Sequence, residues 1–137
     1  MMNPPANNTL YFEIRTVQDV ATARRRGLML ALDLRFQTAD AIRIAVVISE
    51  LGRNIVAYAG EGSITVIAEK QPRAYIKIVA DDKGPGIANL EQVLNGGYTS
   101  SGGMGLGVSG SKKLMDEFDI RTEVDKGTTI TTVKWLR

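Results

Sequence analysis

The chain has 137 residues, of which 44% are hydrophobic and 23% charged, with a formal net charge of +2. That is ordinary globular composition, and at this length a domain buries about two-thirds of its unfolded surface without a metal or disulfide staple. The absence of cysteine and histidine excludes disulfides, thiolate zinc sites, cysteine nucleophiles and imidazole bases. Acid–base work falls to Asp, Glu, Lys or Tyr, and any metal is expected to be a hard, oxygen-liking one. The balanced charge argues against a nucleic-acid partner. Apolar runs such as Ile44 to Ile48 are too short to span a membrane. The N-terminal stretch lacks the charged flank and apolar core of a signal peptide. The expectation is a cytoplasmic protein with neither a nucleic-acid nor a membrane partner.

Residues 1–8, rich in Pro and Asn, read as a disordered lead, and residues 9–137 as a single domain. From Thr9 to Thr16, Leu10, Phe12 and Ile14 alternate with polar neighbours, predicting a strand. Thr16 and Asp19 then open a helix running to about Leu34, with Val17, Val20, Ala21, Leu28 and Leu32 as its apolar residues. Its Arg24-Arg25-Arg26 run reads as a solvated face. Thr38 caps a second helix, with Asp40 in its first turn. Its ridge is Ile44, Ile48, Leu51, Ile55 and Tyr58, and it ends near Ala59 before Gly60 and Gly62. Ser63 to Glu69 and Ala74 to Asp81 form a hairpin pattern. A Gly- and Ser-rich loop follows from Gly84 to Gly107, with one short helical turn at Leu90, Val93 and Leu94. The pattern closes with a third helix over Leu106 to Glu117 and two strands, Ile120 to Val124 and Thr128 to Leu136. The fold class is α+β: a two-layer sandwich with a mixed, mostly antiparallel sheet and helices on one face.

Three segments carry candidate chemistry. In Glu50-Leu51-Gly52-Arg53-Asn54, Glu50 and Asn54 lie one turn apart on one helix face, away from the apolar ridge. They pair a carboxylate able to take a proton with an amide oxygen able to ligate a hard cation. In Asp81-Asp82-Lys83-Gly84-Pro85-Gly86-Ile87, Asp82 ends an apolar strand, where its carboxylate can accept from an exocyclic amine. Gly84 and Gly86 there allow a planar ligand close to the backbone. In Gly102-Gly103-Met104-Gly105-Leu106-Gly107, successive glycines before a helix leave N–H groups able to face an anion. The run from Gly105 to Gly110 also fits G-x-G-x-x-G, but a polar loop precedes it where a dinucleotide fold needs a strand.

In this order and spacing the three segments resemble the GHKL superfamily of ATP-binding proteins, whose shared architecture is the Bergerat fold. Glu50 and Asn54 match its N box, Asp82, Gly84 and Gly86 its G1 box, and Gly103, Gly105 and Gly107 its G2 box. Gly127-Thr128-Thr129 resembles a further small turn of the superfamily. The match spans essentially the whole chain. Within the superfamily the chain lacks a phosphoacceptor histidine, and its motif wording is similar to the RsbT-type switch kinases of the stressosome. Anti-sigma factors of the SpoIIAB and RsbW type come second, and a nucleotide-gated binding module without catalysis third.

The resemblance implies ATP or ADP as nucleotide with Mg2+. It implies that Glu50 is the catalytic base and Asn54 the metal ligand, with Asp82 on the adenine amine. Gly84, Gly86 and Ile87 would shape the base pocket, and Gly103, Met104, Gly105, Leu106 and Gly107 would cradle the phosphates. Thr129 would complete the nucleotide site, and a lid would run from Ala88 to Gly102. Asp81 is the next carboxylate should Glu50 not serve. Arg53 and Lys83 are left between contacting phosphate and being ion-paired or solvated. The implied partners are STAS-domain proteins as substrates and a PPM-type phosphatase as the downstream target.

Overall fold

A computed structural model of the chain describes residues 8–86 and 107–137, with Gly107 described by its backbone alone. The elements are β1 (Thr9–Ile14), α1 (Val17–Asp33), α2 (Thr38–Asn54), a π-helical turn (Ile55–Ala59), β2 (Gly62–Glu69), β3 (Tyr75–Asp82), α3 (Gly107–Leu114), β4 (Glu117–Glu123) and β5 (Gly127–Trp135). The strands form one five-stranded sheet in the order β1-β2-β3-β5-β4, and every pairing is antiparallel. The expected parallel component is absent among the described residues: β2–β3 and β4–β5 are hairpins, and β1–β2, joined through the two helices, and β3–β5 also pair antiparallel.

Residues opposite one another on adjacent strands share a face. One face carries Leu10, Phe12 and Ile14, then Ile64, Val66 and Ala68, then Ile76, Ile78 and Ala80. It packs under the helices and supplies much of the buried core. The register puts Asp82 at the end of this inward row and Asp81 on the opposite face.

Thr16 caps α1 with a reciprocal capping box to Asp19, as the sequence suggests. The buried residues of α1 are Val20, Ala23, Gly27 and Ala31, so the expected apolar side was rotated. Val17 and Leu32 are exposed, and Ala21 is exposed as well. The reason is close packing between α1 and α2. A Cβ on Gly27 would overlap the Ile48 side chain, and one on Gly52 would lie 2.9 Å from Val20. Small residues face the neighbour, and larger ones are turned outward.

The cap of α2 is Gln37, which makes no side-chain capping bond, so Thr38 is the first helical residue and not the cap. Ile44, Ile48, Leu51 and Ile55 are buried as the ridge predicts, whereas Tyr58 is exposed. The helix widens into a π turn after Asn54, which shifts the phase of every later side chain. The turn ends at Gly60, whose φ is 85°. The third helix is shorter than expected and stops at Leu114, and β4 begins at Glu117. Pairing with β5 wins there: Glu117 lies opposite Val133 and Phe118 opposite Thr132. The buried Lys134 ammonium donates to the Leu114 carbonyl at 2.8 Å, satisfying an orphan acceptor at the helix end. No described helix is long and apolar enough to cross a membrane.

Candidate functional site

The C-terminal end of α2 is held against the end of β3 by a close approach at Gly62. A Cβ there would stand 2.9 Å from Ile55 Cγ2 and 3.0 Å from Asp82 Cβ. Thus Asn54, one residue before Ile55, is carried to the strand end that bears Asp82. Gly84 tightens the junction further, since a Cβ on it would meet Ala59 Cβ at 2.6 Å and Asp82 Oδ1 at 3.1 Å. At Gly86 φ is 78°, and a side chain would run into the Glu123 carbonyl. Glycine is therefore required at both positions by the packing itself. The Asp125 N–H donates to the Pro85 carbonyl at 2.8 Å, which ties this loop to the β4–β5 turn.

Asp82 is partly buried, and burial pushes its carboxyl above the ordinary value. The neighbouring Asp81 charge pushes the same way, while N–H groups of Gly84 and Thr128 pull it back. The Gly84 N–H donates to Asp82 Oδ1 at 2.8 Å. A carboxylate fixed by its own loop at the mouth of a sheet end suits recognition of an amine. A cleft of about 300 Å³ opens here, lined in part by Asp81, Asp82, Lys83, Thr122, Thr128 and Thr129.

Glu50 is buried, although its helix face lies away from the apolar ridge. Arg53, one turn later, donates from Nη1 to Glu50 Oε2 at 2.7 Å. Arg53 is thus ion-paired, while its own side chain remains half exposed. Asn54 is partly exposed beside this pair. α3 packs along α2 through buried Val108 and Ser111, so the helix that opens at Gly107 lies beside the one bearing Glu50.

Two neighbouring residues divide between the faces of the sheet. Thr129 pairs with Asp81, and its hydroxyl donates to Asp81 Oδ1 at 2.7 Å on the face away from the helices. The residue opposite Asp82 is Thr128, which is buried and 2.8 Å from the Thr122 hydroxyl. Two-residue strand periodicity puts Thr128 on the helix-facing side with Asp82 and Thr129 on the other side with Asp81, and both threonines line the cleft. The sequence carried that signal, because Thr128 keeps step with Ile130 and Thr132. Asp81 is likewise turned away from Glu50. Ile87, Gly103, Met104, Gly105 and Leu106, the short helical turn at Leu90, Val93 and Leu94, and the lid from Ala88 to Gly102 lie outside the described residues.

Among the described residues, no group of three or more Asp and Glu could hold a metal alone. The donor set still fits Mg2+, an ion that commonly takes one or two protein oxygens and completes its shell with phosphates and water. Asn54, partly exposed at the end of α2, would supply such an oxygen.

The architecture and these residues define a nucleotide-binding domain of one family. Residues 39–137 match the family described as histidine kinase-, DNA gyrase B- and HSP90-like ATPases. The chain is also 42% identical over 133 residues to the serine/threonine-protein kinase RsbT of Bacillus subtilis (strain 168), covering 96% of this chain and 99% of that protein. The chain therefore belongs to this ATPase family, and within it to the serine/threonine-protein kinases of the RsbT type. Solved structures share the fold. The RsbU and RsbW domains of a Mycobacterium tuberculosis protein align with a TM-score of 0.64 at 19% identity, over 94% of this chain and 33% of that one. The mycobacterial sensor histidine kinase MprB aligns with a TM-score of 0.54 at 18% identity, over 93% of this chain and 99% of that one.

Proposed function

We propose that this kinase transfers the γ-phosphoryl group of ATP to a serine or threonine of STAS-domain partner proteins, in a cytoplasmic stress-signalling switch. On release from them it binds and activates a PPM-type phosphatase. The observation that carries the catalytic part is the buried Glu50 on the turn before Asn54, with Asp82 at the adjoining strand end. A nucleotide-gated binding module has no use for a buried carboxylate at that place.

In this reading Asp82 accepts from the adenine amine, Gly84 and Gly86 keep the floor open, and Thr128 backs the Asp82 carboxyl. Ile87 and the residues from Gly103 to Gly107 complete the nucleotide site. Mg2+, when bound at Asn54, neutralises phosphate charge. Glu50 accepts the proton of the acceptor hydroxyl. The hydroxyl oxygen then bonds to the γ-phosphorus, the bond to the β–γ bridging oxygen breaks, and ADP leaves with that electron pair. Positioning and charge neutralisation dominate phosphoryl transfer, so one carboxylate and one metal suffice. Residues 9–137 act together as one kinase domain.

The test is incubation with γ-labelled ATP and a purified STAS-domain protein. Label is expected on the partner with wild-type kinase and nearly lost with Glu50→Gln. Stable capture of a sigma factor without labelling of any STAS protein would favour an anti-sigma factor instead.

A further inference from the structure

Glu50 has a side chain only 7% exposed, yet it is engaged by a guanidinium that stands 49% in solvent. Burying a carboxylate is costly unless it is paired and hydrogen-bonded. The planar fork of Arg53 supplies a charge-assisted bond at 2.7 Å, near the short end for such contacts. We propose that Arg53 is a positioning residue for phosphoryl transfer, holding the Glu50 carboxylate in the orientation from which it receives the acceptor's proton. The inference rests on Glu50 being the base, and adds how that base is kept in place.

A carboxylate at the end of a glutamate side chain has three rotatable bonds. A base has to stand within hydrogen-bond reach of the proton it takes, about 2.6–3.2 Å between heavy atoms. Fixing Oε2 with a guanidinium from the same helix restricts those rotations without touching the nucleotide. Arg53 lies between Glu50 and Asn54 in sequence, so it shares their rigid element. The same helix contains a built-in control, since Arg43 donates to Asp40 at 2.9 Å with the same three-residue spacing but near the opposite end of α2.

The experiment measures single-turnover labelling of a STAS-domain protein by the full chain, with magnesium–ADP affinity measured by calorimetry. Arg53→Ala is expected to slow transfer about 10- to 100-fold, the scale of a misplaced reacting group. Nucleotide affinity and acceptor KM stay unchanged. Arg53→Lys recovers part of the loss, and Arg43→Ala loses none. In a Glu50→Gln background Arg53→Ala has no further effect, because it acts only through Glu50. A loss undiminished in that background would overturn the proposal, placing the guanidinium on the phosphates. Wild-type rates in Arg53→Ala alongside a slow Glu50→Gln would overturn the positioning role only. Wild-type rates in Glu50→Gln would overturn the base assignment itself.

Discussion

The two ends of α2 bear the same local device in different surroundings. Near the N-terminal end Asp40 pairs with Arg43 at 2.9 Å, and near the C-terminal end Glu50 pairs with Arg53 at 2.7 Å. Sequence spacing and donor chemistry are alike. At the first end the carboxylate also faces the buried Lys134 ammonium at 3.7 Å, which in turn holds the Leu114 carbonyl. There the charges tie helix to sheet. At the second end the helix widens into a π turn packed against Gly84, beside the strand end that bears Asp82. A local pattern alone does not separate a scaffold pair from a working one. What each pair is packed against separates them.

The comparison can be broken most directly at the C-terminal end. Glu50→Gln preserves shape and removes proton-accepting power, so labelling of a STAS-domain partner should fall about 10²- to 10⁴-fold with little change in melting temperature. Asp82→Asn is the next largest effect. Loss of a charge-assisted bond of about 1.5–3 kcal/mol should weaken magnesium–ADP binding about 10- to 150-fold by calorimetry.

The Asp82 variant should melt no lower than wild type. Burial raises the folded-state carboxyl above the ordinary aspartate value, so its charged form costs stability at neutral pH and the amide avoids that cost. For the same reason, nucleotide affinity of the wild type should begin to fall, as the solution is acidified, at a higher pH than an ordinary aspartate would set.

At the scaffold end the effects should appear in stability and not in chemistry. Lys134→Met removes the bond to the Leu114 carbonyl, and leaving that acceptor unpaired should cost about 1–3 kcal/mol in urea unfolding. Transfer rates well below its melting range should match wild type. Arg43→Ala is the smallest change, because a half-exposed pair contributes about 0.2–1 kcal/mol and fades with salt. A large loss of transfer in either scaffold variant would erase the distinction between the two ends.

Element types and their order follow from local chemistry, and the sequence alone determined them. Thr16 with Asp19, the ridge from Ile44 to Ile55, the alternation along β1 to β3 and the stop at Gly60 are all short-range signals. The glycines at 84 and 86 and the carboxylate at 82 were legible for the same reason. Tertiary structure decided matters of phase and surroundings. The sheet register put Thr128, not Thr129, beside Asp82 and turned Asp81 away. Close packing of α1 on α2 chose Gly27 and Ala31 as the inward face and exposed Val17 and Leu32. Pairing with β5 ended α3 early. Burial of Glu50 and its capture by Arg53 depended on what lies above the helix, which no count of residues along it reveals. Local preferences are fixed within a few residues, whereas burial and cross-strand pairing are set by partners distant in sequence.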